Sequence, residues 1–177
     1  MSEKNKENEV LKAIRERRSI RAFKSKALPL QAVNELKQAL FWAPSAGNLQ
    51  SLFHYFVFDA RSREKLARAA FDQDFIVQAP LAVVTCVDFK SIEKYGERGR
   101  ELYVFLDAGI AIENLLLAAF SLGLGSVVVG AFDENAVRKI LEIPSHLKPV
   151  AIIPVGFPGE SPQAPKRKNV EEITRNV

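Results

Sequence analysis

Two rhythms of hydrophobic and polar positions alternate along this chain: the three-to-four-residue spacing of a helix face, and the two-residue or unbroken pattern of a strand. Residues 8–17 place Val10, Leu11 and Ile14 on one side and predict a helix. Over residues 17–23 the pattern turns alternating, which predicts an extended segment. Pro29 is tolerated in the first turn of a helix, and Val33, Leu36, Leu40 and Phe41 keep helical spacing to Ala43, where Pro44 and Gly47 stop it. Residues 54–58 read as a strand, 63–71 as a helix and 81–87 as a buried strand.

After a charged stretch over 91–101, residues 102–122 are apolar on nearly every face, broken in polarity only by Asp107, Glu113, Asn114 and Ser121. The length approaches a bilayer span, but each carboxylate would cost roughly 2.5 kcal/mol or more there, so no membrane is expected as a partner. A helix apolar on most faces must be covered on most faces, and a short chain does this most easily by packing against a copy of itself. Gly123 and Gly125 end the segment. A strand over 126–129, Gly130, a helix from the N-cap candidate Asp133 to Leu141 and a strand over 150–155 follow.

The polar residues 1–8 read as a disordered tail, and the proline-rich residues 157–177 as an extended C-terminal arm, non-helical until Val170. Neither repeat nor linker interrupts the chain, so residues 1–177 are expected to form one domain. At 177 residues such a domain buries roughly 70% of its unfolded surface. A composition 47% hydrophobic and 26% charged excludes wholesale disorder. The one cysteine, Cys86, lies inside the apolar 81–87 run, which excludes an internal disulfide and a cysteine-rich metal site. With a polar, mixed-charge N-terminus, the expected compartment is the cytoplasm.

The net charge of +4 is unevenly placed, with Arg15, Arg17, Arg18 and Arg21 near the start and Lys166, Arg167 and Lys168 near the end. Such patches suit nucleic acid, an anionic membrane or a phosphorylated small molecule, and charge alone does not choose. On an extended backbone Arg17, Ser19 and Arg21 share a face. Two guanidinium groups and a hydroxyl then form either a phosphate grip or a solvated basic face. In residues 43–50 the small side chains let a planar ligand approach the backbone, while Ser45, Asn48 and Gln50 offer polar groups. The same residues also make an ordinary helix stop and turn. Gly123, Gly125 and Gly130 do not form a dinucleotide fingerprint, since the first two end a helix. His54 and His146 have no third ligand at recognisable spacing, so no metal is expected. Cys86 reads as a core residue rather than a nucleophile.

Taken in order, Arg17-Arg18-Ser19-Ile20-Arg21-Ala22-Phe23, Pro44-Ser45-Ala46-Gly47-Asn48-Leu49-Gln50, the run from Asp107 to Ala119, Gly123-Leu124-Gly125-Ser126 and the C-terminal Gly156-Phe157-Pro158 with Lys166-Arg167-Lys168 resemble the nitroreductase-like flavoenzymes. The resemblance spans about residues 9–175. It implies an α+β nitroreductase-like fold, a central and mainly antiparallel sheet flanked by helices, in a domain-swapped homodimer built on the long apolar helix. It also implies bound FMN, NAD(P)H as reductant, and ping-pong hydride transfer through flavin N5 to a small-molecule electron acceptor such as a nitroaromatic or quinone.

Under that resemblance Arg17, Arg18 and Ser19 hold the FMN phosphate and ribityl chain, and Arg167, helped by Lys166 or Lys168, completes the grip. Arg21 stands near N1 and O2, where a fixed cation favours the reduced flavin. Pro44, Ser45, Ala46, Asn48 and Gln50 line the same flavin from the other subunit, and Gly130 offers its backbone N–H near N5. No side chain is expected to serve as acid or base in the hydride step. Phe41 and Trp42 read as core residues, with packing under the flavin as the other reading. The alternative function is a non-catalytic flavin-binding or sensing module. The short segment over 88–101, where larger relatives carry an excursion over the substrate, motivates it, and Val129 stands where some relatives have a glutamate near the flavin. Nucleic acid is not an expected partner, because the basic residues lack interleaved aromatics.

Overall fold

A computed structural model describes residues 8–177. Asn8, expected in a disordered tail, instead caps α1 (Glu9–Glu16): its side chain accepts the N–H groups of Val10 and Leu11 at 3.0 and 3.2 Å. The rest of that expectation, residues 1–7, lies outside the described residues. α1 buries only Ala13, and its Val10, Leu11 and Ile14 are exposed. The chain then runs extended to α2 (Leu30–Phe41), which turns Ala32, Leu36 and Leu40 into the core. Phe41 and Trp42 correct the expectation of core packing, being 61% and 74% exposed. Leu36 and Leu40 already define the inward face of α2, and each further residue rotates about 100° away from it.

β1 (Leu52–Val57) leads into α3 (Ala60–Ala69), α4 (Phe75–Gln78) and β2 (Leu81–Asp88). α3 starts before the expected residue 63 because Asp59 caps it, accepting the N–H of Ser62 at 2.7 Å. It also stops short of Phe71, which with Asp72 has positive φ, 58° and 59°, and reverses the chain. The four residues of α4 are too few to show a period. The helix expected from residue 102 begins at Glu93, with a 3-10 turn over Glu93–Tyr95, the short α5 (Gly96–Arg98), a π-helical turn over Gly99–Tyr103 and then α6 (Val104–Ser121). By length and apolarity this 29-residue run could cross a membrane. One side of α6, however, is packed on α2 and the sheet through Ala111, Leu115 and Ala119, while Leu106 and Ile110 face outward.

β3 (Gly125–Ser126), α7 (Glu134–Leu141), β4 (Leu147–Gly156) and α8 (Val170–Ile173) complete the order. The strand expected over 126–129 shortens to β3, because the chain leaves the sheet at exposed Val128 and rejoins it only through a Val129–Ile152 bridge. Asp133 caps α7 as expected, accepting the N–H of Ala136 at 3.0 Å. The sheet is antiparallel throughout, in the order β1-β2-β4-β3. Both faces of β2 are covered: Leu81 and Val83 pack toward α2 and α6, and Ala82, Val84 and Cys86 toward α3 and α7. That explains its unbroken apolar run. Burial pushes the Cys86 thiol up to about 12, so it carries no thiolate near neutral pH. A bulge at Thr85/Cys86 moves the partner in β4 from Ala151 to Pro149.

Candidate functional site

The segment over residues 17–23 is extended, and the backbone holds it there. Ser19 bridges Ser126 in parallel, Ile20 N donates to the Ser126 carbonyl at 3.1 Å, and Phe23 bridges Pro158. Ile20 and Phe23 point inward, and Gly125 lets Ile20 in: a Cβ on Gly125 would lie 2.8 Å from Ile20 Cγ1. The C-terminal arm is tied to the same segment by Lys24 N to Phe157 O at 2.9 Å and Gly159 N to Ala22 O at 2.7 Å. Glu160 adds a carboxylate that accepts the backbone N–H of Arg21.

Arg17, Arg18, Ser19 and Arg21 therefore meet Arg167 around one cleft of about 310 Å³, closed by Pro162, Gln163 and Pro165. Lys166 and Lys168 do not line it. Arg17 Nε lies 3.3 Å from Glu113 Oε1, an ion pair by distance but not a hydrogen bond by angle, so this buried N–H retains an unused donor. Arg18 differs, since its guanidinium is turned back on the carbonyls of Arg15 and Arg17 at 2.7 and 2.8 Å.

Residues 43–50 are shaped by backbone geometry. Gly47, Asn48 and Gln50 all have positive φ, 55°, 55° and 53°, which is costly for the two that carry a Cβ. The arrangement is held from both sides. Ser45 Oγ accepts the N–H of Gln50 at 2.9 Å, and the buried carboxylate of Asp107 on α6 receives the N–H of Ala46 on both oxygens, at 3.0 and 3.1 Å. Desolvation raises the Asp107 pKa, with the Ala46 bond pulling it the other way. Pro44, Ser45 and Gln50 line a second cleft of about 420 Å³ with Phe41, Phe53, His54 and Phe56. Half-buried His54 bonds Thr85 Oγ1 through Nδ1 at 3.1 Å, and burial lowers its pKa to about 4. Among the described residues no cluster of His, Cys, Asp and Glu could hold a metal.

The predicted residues thus fall into two groups within one chain: Arg17, Arg18, Ser19, Arg21 and Arg167 around one cleft, and Pro44, Ser45 and Gln50 around another. Ala46 and Asn48 lie in the same turn as the second group. Gly130 is exposed, and an added Cβ there would meet nothing within 4 Å. Asp107 and Glu160 escaped the sequence reading as functional positions. A lone carboxylate among Ala108, Ala111 and Ile112 was the available signal for Asp107, since a buried acid needs a donor.

The scaffold is antiparallel α+β, with a basic cleft at one place and a polar loop set by its backbone at another. A family model, the nitroreductase family, matches residues 14–84 and 67–157, and the chain belongs to the nitroreductase family. A protein of Methanothermobacter thermautotrophicus, provisionally named as an NADH dehydrogenase/NAD(P)H nitroreductase, is 34% identical over 161 residues, covering 87% of this chain and 80% of the relative. The FMN reductase [NAD(P)H] of Bacillus subtilis is 29% identical, over 96% of this chain and 79% of its own. Among solved structures, the NADPH:FMN oxidoreductase from Vibrio harveyi complexed with NAD+ superposes with a TM-score of 0.88 at 26% identity, covering 96% of this chain and 77% of that one. The fold is the nitroreductase-like one that the sequence motifs implied.

Proposed function

We propose that this protein is an NAD(P)H-dependent FMN oxidoreductase that reduces a small oxidised acceptor such as a quinone or nitroaromatic, and that it works as a homodimer. The observation that carries the reading is the convergence of Arg17, Arg18, Ser19, Arg21 and Arg167 on one cleft. The donor set fits a phosphate monoester: guanidinium groups form forked, charge-assisted bonds to phosphate oxygens, and the Ser19 hydroxyl adds a neutral donor. The family, and relatives named FMN reductase and NADPH-flavin oxidoreductase, support reading that phosphate as the one on FMN.

Bound FMN supplies the two-electron carrier between NAD(P)H and the acceptor. Arg17, Arg18, Ser19 and Arg167 hold its phosphate end, and Arg21 adds positive charge that favours a reduced, anionic cofactor. Pro44, Ser45, Ala46, Asn48, Gln50 and Gly130 line the planar end, the loop coming from the second subunit. Exposed apolar side chains on three helices support the homodimer: Val10, Leu11 and Ile14 on α1, Phe41 and Trp42 at the end of α2, and Leu106 and Ile110 on α6. A reducing compartment such as the cytoplasm suits the free, buried Cys86.

The test is uptake of FMN by purified protein, followed by anaerobic bleaching of its visible absorption with NADH or NADPH and recovery on adding a quinone, with light scattering giving twice the chain mass. Protein that takes up no FMN sinks the proposal, and flavin that neither nucleotide bleaches leaves only a binding module.

A further inference from the structure

The short helical segment before α6 places one aromatic side chain against the loop over residues 44–50 by way of two glycines. A Cβ added at Gly47 would lie 2.2 Å from Tyr95 Oη and 3.2 Å from Lys94 Nζ, so the phenol and the ammonium sit where any other residue at position 47 would put its side chain. On the other side, a Cβ at Gly99 would come within 2.7 Å of Tyr95 Cβ. Gly99 opens the π-helical turn, a local distortion that recurs at functional sites. The Tyr95 ring is further held edge-on by Tyr103 at 5.5 Å, whose own hydroxyl accepts from Arg98 Nε at 2.9 Å.

The polar ends of this pair are uncommitted. Among the described residues Tyr95 Oη has no hydrogen-bond partner and Lys94 forms no ion pair, although Glu93 and Glu97 flank it in sequence. Lys94 Nζ sits 5.0 Å from the Tyr95 ring centroid. A hydroxyl donor, an ammonium and an aromatic face side by side match a flat aromatic molecule that carries a negative group.

Resting on the flavin reading above, we propose that Tyr95 and Lys94 form the wall of the acceptor site, and that the acceptors they favour are planar aromatics bearing a carboxylate or sulfonate. Tyr95 donates its O–H to the ligand's anionic oxygen, and Lys94 supplies the charge.

The test uses FMN-loaded protein and two readouts. The first is the equilibrium dissociation constant of naphthalene-2-sulfonate, an unreactive planar anion, from its perturbation of the bound flavin's absorption. Lys94→Gln should weaken it about fivefold and Tyr95→Phe about tenfold, and raised salt should weaken the parent protein but not Lys94→Gln. The second is the kinetics of anthraquinone-2-sulfonate against uncharged 2-methyl-1,4-naphthoquinone: Lys94→Gln should raise KM for the sulfonate about fivefold more than it raises KM for the uncharged quinone. If FMN-loaded variants bind the sulfonate as the parent does, the inference falls and the flavin reading stands. A change confined to the nucleotides overturns it too, assigning the pair to the reductant. Failure of the parent to take up FMN removes both.

Discussion

The two halves of the candidate site are held in opposite ways. Around residues 17–23 the backbone is ordinary extended chain, pinned by Ser126, Phe157 and Gly159, and the chemistry sits in exposed or half-buried side chains that reach out from it. In residues 44–50 the chemistry sits in the backbone itself, three residues with positive φ, and a buried carboxylate from α6 keeps them so. The first design tolerates change in shape and not in charge. The second tolerates surface change and not loss of its buried anchor, Asp107.

The largest expected effect is on the charged half. Replacing Arg17 and Arg21 together by Gln should lower FMN affinity about a hundredfold to a thousandfold, because on the proposed reading Arg17 bonds the phosphate and Arg21 adds a second positive charge to the same cleft. Folding stability should barely move, since the Arg17–Glu113 pair is partly exposed and worth little on its own. Flavin fluorescence titration and a denaturant melt read the two quantities, and an affinity within threefold of the parent would remove the grip from the site.

Asp107→Ala should do the reverse, costing about 3 kcal/mol of folding stability, since it strands the Ala46 N–H and leaves a void in a packed helix face. Asp107→Asn should cost less, as one carbonyl oxygen remains to accept. Amide hydrogen exchange makes the contrast local: Ala46 and Gln50 should lose protection, while Ile20 and Lys24 keep theirs. Equal loosening at both places would show that the two halves are one unit.

pH gives a third way to separate them. The burial that lowers the His54 pKa to about 4 acts beside the loop, on β1. Unfolded, His54 takes up its proton near 6.5, and folded only near 4, so its contribution is full above about 6.5 and is lost as pH falls through that window. The loss should reach about 3 kcal/mol by pH 4. Asp107 works in the opposite sense, its raised pKa lending stability as pH falls, so the quantity to measure is the difference between the parent and His54→Phe in urea midpoints from pH 7 to 4. No pH-dependent difference would mean that His54 charges freely in the folded protein.

The same contrast explains what the sequence revealed. Alternation exposed Arg17, Ser19 and Arg21 as one face, because period two is a property of any extended chain. The loop's polar residues were visible, but its dependence on Asp107 was not, since that contact joins positions 61 apart and Asp107 looked like a blemish in an apolar helix. The π-helical turn over Gly99–Tyr103 hid inside a charged stretch with no period. Phe41 and Trp42 were misread as core because helical spacing reports which residues share a face, not whether the chain itself covers that face. The pairing of the C-terminal arm with residues 22–24 was likewise illegible, resting on backbone hydrogen bonds that carry no residue-type signature.

The smallest effect sharpens the charged half internally. Arg18 lines the same cleft as Arg17 and Arg21, yet its guanidinium is engaged by the carbonyls of Arg15 and Arg17, closing the turn that leaves α1. A group already bonded to backbone oxygens has fewer donors to offer a phosphate, and removing it frees carbonyls that solvent can reach. Arg18→Ala should therefore weaken FMN binding only about threefold, with a stability loss of about 0.5–1 kcal/mol. The Arg17 single variant should exceed it severalfold in affinity and fall below it in stability. Should Arg18→Ala instead match the double variant, the guanidinium swings from the carbonyls onto the phosphate, and the three arginines act as one interchangeable cationic shell.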